Sequence, residues 1–194
     1  MNEDKIKIFQ REIGYIKSDR YRENIKKLIS WLPDYFFEVP ASSTGKYHPK
    51  YALGEGGLVR HTKAAVRIAY GLLNDESIGY QFKEEEKDVI LMALLLHDGL
   101  KHGEPKERYV RFDHPLLICH MIESHAEDLT LTENEIKAIV NMISSHMGPW
   151  NKDYDGNEVL PEPSNRYQRF VHMCDFLASR KFLEVPFQEN EIVD

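Results

Sequence analysis

The sequence predicts an all-α fold of about six or seven helices. Three observations lead to it. Apolar residues recur at three- and four-residue steps through most of the chain. Capping residues, prolines and glycines bracket those runs. No stretch shows the strict alternation of a half-buried strand.

Residues 1–18 are weakly patterned and read as a short helix or a loose arm. From Ser18 the pattern is helical, with Tyr21, Ile25, Leu28, Ile29 and Leu32 in step, and Pro33 ends it. Residues 40–57 are a loop by composition, long enough to be functional, and carry Lys46, His48 and Lys50. Two readings stand for that loop: a solvated connection, or a lid whose cations meet an anionic substrate. Leu58 opens the next helix, where His61 lies on the stripe of Ala64, Ala65, Ile68, Ala69 and Leu72. Glu84, Glu85 and Glu86 form the solvated first turn of the following one.

That helix runs through LMALLLHDGLKHG, residues 91–103. Apolar on every side, it must be buried, and Gly99 stops it. His97 and Asp98 therefore sit at the bottom of something. A carboxylate there is costly unless it is paired or binds a metal. Pro115 starts the next helix, with His114, Ile118, Ile122 and His125 on one face. His125 lies roughly 16 Å along the axis from His114, too far to share its centre. His120 and His125 read as ordinary surface or satisfied residues. Thr132 and Glu135 form a capping box for a helix whose buried face ends on His146. Ser164 is expected to cap the last long helix, with Val171, Asp175, Ala178 and Phe182 in register. The tail after it is polar and is expected to fray.

Length fits one domain: residues 1–40 as an arm and helix packing on the core, residues 41–194 as the domain proper. The net charge of −7 argues against a stable complex with long nucleic acid. The N-terminus has no apolar signal core, and no run is long enough for a membrane span. Cys119 and Cys174 match no metal or redox spacing and read as reduced thiols, so a cytoplasmic protein without membrane contact is expected.

His61, His97, Asp98, His114 and His146 lie at the ends of apolar helical faces, and Asp175 lies within one. Each inward polar group needs a partner. Imidazole and carboxylate are ligands for Mn, Fe, Ni, Zn or Mg. A helical core of hydrogen-bonded histidines is the bland alternative.

These residues resemble the HD-domain family of metal-dependent phosphohydrolases, whose pattern is H…HD…D. GGLVRHT carries His61, LLLHDG carries His97 and Asp98, and HMCDFLASR carries Asp175. GGLVRHT, HDGLKHG and SSHMG are most similar to the HD domain of bacterial 3′–5′ exoribonucleases and their stand-alone phage or bacterial relatives. DHPLL resembles a multi-histidine branch in which extra histidines hold a second metal. The resemblance implies that His61, His97, Asp98 and Asp175 hold one divalent ion. By the same resemblance, Asp98, His114 and His146 hold a second. That branch often has two adjacent histidines where this chain has His146-Met147, and the chain lacks the GYP signature of cyclic-di-GMP hydrolases.

The implied activity is hydrolysis of a phosphoester in a nucleotide or a short or cyclic oligonucleotide, with Asp98 bridging the ions. Lys101 is the expected phosphate-binding and catalytic cation. Lys46, His48 and Arg180 are further substrate candidates, and His172 is a supporting one. Two other function classes stand beside this one: a non-catalytic nucleotide-sensing module and a di-iron oxygenase.

Overall fold

A computed structural model describes residues 2–153, 155–183 and 185–193. In chain order the helices are α1 (Glu3–Ile8), α2 (Gln10–Gly14), α3 (Asp19–Trp31), α4 (Gly57–Asn74), α5 (Glu76–Gly79), α6 (Glu84–Leu96), α7 (His114–Ser124), α8 (Glu133–Ser144) and α9 (Arg166–Ala178). Six of them reach eleven residues or more, which matches the expected number of core helices.

Helix α6 is the axis of the molecule. Every residue from Asp88 to Leu96 is buried, as its all-round apolar sequence requires. It packs against α3, α4, α8 and α9. Helix α4 lies along α9, and α8 lies along α7. At the start of α6 the buried carboxylate of Asp88 accepts hydrogen bonds from the backbone N–H groups of Lys17 and Ser18, each at 2.9 Å. Those donors lie at the N-terminus of α3, where a negative charge is favoured. So the polar start of α6 fixes α3, and its polar end reaches the site described below. Gly99 follows that end. A Cβ there would lie 2.7 Å from Leu32 and 2.8 Å from Ile118, so the close approach of the 97–99 turn to α3 and α7 requires glycine.

Of the two readings of residues 1–18 the helical one holds, with Phe9, Ile13 and Ile16 buried in the core. Three other sequence expectations change. The cap of α9 is Asn165, whose side chain accepts from the N–H groups of Tyr167 and Gln168; Ser164 instead bonds Gln168 Oε1. Helix α9 stops at Ala178, so Phe182 leaves the helical register and is 74% exposed.

The tail, finally, does not fray. Phe187–Gln188 and Glu191–Ile192 pair as a small antiparallel hairpin, the two strands that periodicity missed. Glu184 and Asp194 of that tail lie outside the described residues. The hairpin is held by side-chain bonds that no local pattern reveals. Arg60 donates to Asn190 Oδ1 at 2.8 Å, Arg11 donates to the Ile192 carbonyl at 2.6 Å, and Lys63 reaches Glu191 at 2.5 Å.

Lys63 is fully buried and faces a second carboxylate, the buried Glu12, at 3.6 Å. Neither oxygen of Glu12 has a hydrogen-bond partner. Burial pushes the Glu12 carboxyl up, and Lys63 pulls it back down. Removing one partner of a buried pair strands the other charge, at about 3–5 kcal/mol. Lys63→Met should therefore lose about that much stability in urea denaturation at neutral pH. Glu12→Gln should lose little, because Lys63 keeps Glu191. Equal losses in the two variants would show that this ion triad does not govern stability here.

Candidate metal centre

Five helices bring the six candidate ligands together. His61 projects from the first turns of α4, His97 caps α6 and Asp98 follows it. His114 is the first residue of α7, His146 lies just past the end of α8, and Asp175 is on α9. The four histidines and Asp98 are each 2% exposed or less, so neither water nor a distant charge can satisfy them.

Asp98 lies between two groups of donors. Its Oδ2 is 3.6 Å from His61 Nε2 and 3.4 Å from His97 Nε2. Asp175 Oδ1 closes that group, 2.9 Å from His61 Nε2 and 3.5 Å from His97 Nε2. The other oxygen, Oδ1, is 3.0 Å from His114 Nε2 and 3.6 Å from His146 Nε2. Nε2 atoms also face each other, at 3.4 Å between His61 and His97 and 3.3 Å between His114 and His146.

The tautomers explain these close approaches. His97 Nδ1 lies 2.7 Å from the Leu94 carbonyl, His114 Nδ1 2.7 Å from that of Arg111, and His146 Nδ1 2.8 Å from that of Ile143. A carbonyl only accepts, so each Nδ1 carries the proton, and in the neutral ring Nε2 presents a lone pair. Three lone pairs thus converge on a carboxylate whose Oδ1 is buried without a hydrogen bond. Lone pairs facing lone pairs repel, and a cation between them removes the repulsion. The donor set is the nitrogen and oxygen mixture that suits divalent Mn, Fe, Ni or Zn. Backbone partners that fix the ring orientation are the usual support of metal-binding histidines. His61 departs from this, because its Nδ1 is buried without a partner.

Without a metal, protons and Lys101 supply the positive charge. Burial opposes a charge on His97, but Asp98 and Asp175 outweigh it and raise its pKa to about 10. Burial likewise opposes the carboxylate of Asp98, and Lys101 and His97 overcome it and hold its pKa well below the usual range. Burial holds His61 and His114 below the ordinary histidine value. Lys101 Nζ sits 2.5 Å from Asp98 Oδ2.

His172 supports the centre from behind. Its Nδ1 lies 2.7 Å from the carbonyl of His146. Gly148 passes beneath the ring with φ +61°, and a Cβ there would lie 2.2 Å from His172 Cε1. That turn therefore needs glycine twice over, for its backbone and for its neighbour.

The cluster forms the floor of a cavity of about 600 Å³. Asp98, Lys101, His114, His146 and Asp175 line its base, and His48, Ser42 and Thr44 belong to its wall. Arg180 also lines it, and among the described residues it pairs with no carboxylate. Lys46 is not brought in: it is exposed, with its ammonium over the Tyr47 ring. Trp150, Tyr109 and Phe176 also line the cavity, and sequence reasoning gave them no role. Residue spacing within a helix carries no signal for a wall assembled from α9 and three separate loops.

A family model described as HD domain matches residues 58–179. The chain belongs to the HD-domain family. The matched span contains all six candidate ligands, from His61 to Asp175. No curated protein and no solved structure matches the chain. HD domains bind divalent metals, and in this one two groups, His61-His97-Asp175 and His97-Asp98-His146, have ligand atoms close enough to share an ion. Among the described residues no helix is long and apolar enough to cross a membrane.

The raised pKa of His97 predicts that metal binding through this residue is linked to protons. Its folded value lies above the unfolded one near 6.5, so its charged form stabilises the metal-free protein fully below pH 6.5. That contribution is lost as pH rises through about 10. A ligand must be deprotonated, so an ion displaces this proton. Affinity for Mn should rise with pH across this window, with about one proton released per chain at pH 7.5. Calorimetry in buffers of differing ionisation enthalpy measures the release. Zero release with tight binding would mean that His97 is not a ligand.

Proposed function

We propose that the protein is a metal-dependent phosphohydrolase that cleaves a phosphoester in a nucleotide or a short or cyclic oligonucleotide. The observation that carries this reading is the division of Asp98, with one oxygen toward His61 and His97 and the other toward His114 and His146. A carboxylate so divided can belong to two ions at once. His61, His97, Asp98 and Asp175 would hold the first, and Asp98, His114 and His146 the second. Bound divalent ions supply an acidified water and positive charge against the load developing at phosphorus.

The chain's own residues do the rest. The buried ring of helix ends excludes bulk water from the donor atoms, which strengthens every charge interaction there. Carbonyls of Leu94, Arg111 and Ile143 keep three imidazoles oriented without cost at the moment of reaction. Lys101 meets the cavity floor as a point charge and can hold a phosphate oxygen. Arg180 brings a guanidinium to the wall, where among the described residues it pairs with no carboxylate. His48 lines the wall beside His61, its ring centroid 5.4 Å away. Burial lowers its pKa to about 3, so it is neutral at working pH and offers a hydrogen bond rather than a charge. The resemblance of GGLVRHT, HDGLKHG and SSHMG to exoribonuclease HD domains favours an ester that contains a nucleotide, and the acidic net charge disfavours a long strand.

Metal analysis with a phosphoester panel tests the reading. The panel should include bis-p-nitrophenyl phosphate, mononucleotides and short oligonucleotides. Chelation should abolish hydrolysis and Mn should restore it. Asp98→Asn should lose metal and turnover together with the fold retained, by at least about a hundredfold in kcat. His114→Ala should keep one ion per chain yet lose most turnover. If Asp98→Asn melts higher, keeps its metal and still hydrolyses, the bridging role is wrong. Metal binding without turnover on any phosphoester would leave a nucleotide-sensing module instead.

A further inference from the structure

The aromatic side of the cavity has no role in phosphate chemistry. Trp150 lines it and is 48% exposed. One half-exposed indole needs no explanation, but a cluster of exposed rings at one cavity marks a binding surface. The ring is nevertheless held. It lies nearly parallel to Phe176, 12° between planes and 5.9 Å between centroids. The guanidinium of Arg180 packs over Phe176 at 4.2 Å and over Trp150 at 5.6 Å. Arg180 is itself fixed, with Nε and Nη2 donating to Ser179 Oγ at 3.1 and 2.9 Å. Tyr47 and Tyr109, 57% and 61% exposed, line the same cavity. Exposed rings thus gather around one opening whose floor carries the divided carboxylate.

A rigid, exposed aromatic face offers stacking to any flat π-system, at little entropic cost because it is already ordered. Beside it, Arg180 supplies charge for an oxygen anion. A bare phosphate uses only the floor. A duplex offers no free base face, and the cavity of about 600 Å³ is on the scale of a small ligand. We propose that Trp150, braced by Phe176 and Arg180, is a stacking platform for one nucleobase, so that the cavity takes a phosphoester bearing a single unpaired base. This rests on the hydrolase reading for the fate of the ester, not for the stacking. Two sources share that chemistry: a free nucleotide and the end of a short single strand.

The test uses Mn-loaded Trp31→Phe protein, in which Trp150 is the single remaining indole of the chain's two. Trp31 packs on His125, away from the cavity lining. Adenosine 5′-phosphorothioate, chosen to slow cleavage, should quench its emission saturably, and ribose 5-phosphate should not. Tighter quenching by a dinucleotide than by the mononucleotide assigns the source to a strand end, and the reverse assigns it to a free nucleotide. In the otherwise unaltered chain, Trp150→Ala should lower the ratio of kcat/KM for adenosine monophosphate over ribose 5-phosphate about tenfold, mainly through KM. Trp150→Phe should restore most of that ratio. Equal quenching by ribose 5-phosphate, or an unmoved ratio in Trp150→Ala, overturns the platform. Base-dependent quenching in a protein that cleaves no phosphoester would retain the platform and remove the hydrolase reading. Metal-dependent cleavage with an unmoved ratio would do the opposite.

Discussion

A carboxylate at the buried end of a core helix must be met by positive charge. Asp98 is that carboxylate, and much of the molecule follows from it. Helix α6 carries it inward because its apolar residues leave no exposed face. The desolvation cost of an isolated ion there would exceed the stability of an ordinary domain. The fold answers locally, with the ammonium of Lys101 and the charged ring of His97, both within three residues of Asp98. His114 and His146 bring further donor atoms from other helices. The convergence of α4, α7, α8 and α9 on the end of α6 thus adds donor atoms to a charge that α6 and its following turn already balance. It also makes the centre responsive, because a divalent ion can replace the proton and release Lys101 from its pairing.

The histidines are aimed by a local device that recurs. His97, His114 and His146 each donate Nδ1–H to the carbonyl three residues earlier. For His97 and His146 that carbonyl belongs to the last turn of a helix. The bond fixes the ring and points Nε2 away from the helix. His125 supplies the control. It caps α7, its Nδ1 lies 2.9 Å from the Met121 carbonyl, and its ring packs on Trp31, yet among the described residues no carboxylate pairs with it. A capping histidine becomes a candidate ligand only where the fold directs its free nitrogen at another donor set.

That contrast marks what was legible in the sequence. Helical period and burial pick out α3, α4, α6, α7 and α8, because a helix buries a fixed face of its own residues. The same logic places His61, His97, Asp98, His114, His146 and Asp175 inward, and separates His120 and His125 from them. What the period does not carry is anything set by distant segments meeting. Asp88 capping α3, Lys63 between Glu12 and Glu191, and the bonds that hold the hairpin all join residues about 50 or more positions apart. Lys46 and His48 looked equivalent on composition. Only the path of the loop turns one to solvent and the other to the cavity.

The loop's path is set at its two ends. Gly56 N–H bonds the Glu38 carbonyl, Leu58 N–H that of Val39, and Ala41 N–H that of Ala52. Arg60 closes the later end, donating to the carbonyls of Tyr51, Leu53 and Glu55. Tyr51 Oη then donates to the carbonyl of Ala178, which ties the loop to the end of α9 and so to the turn that carries Arg180. Between these anchors, residues 42–46 are linked by short-range contacts to Ser42 Oγ and Thr44 Oγ1 at 3.2–3.4 Å. The cavity therefore has a fixed floor of buried charge, one wall braced by α9 and one wall whose tip is held by few bonds. Any adjustment of the cavity to its ligand falls on that tip, because the donors around Asp98 cannot move without exposing a buried carboxylate.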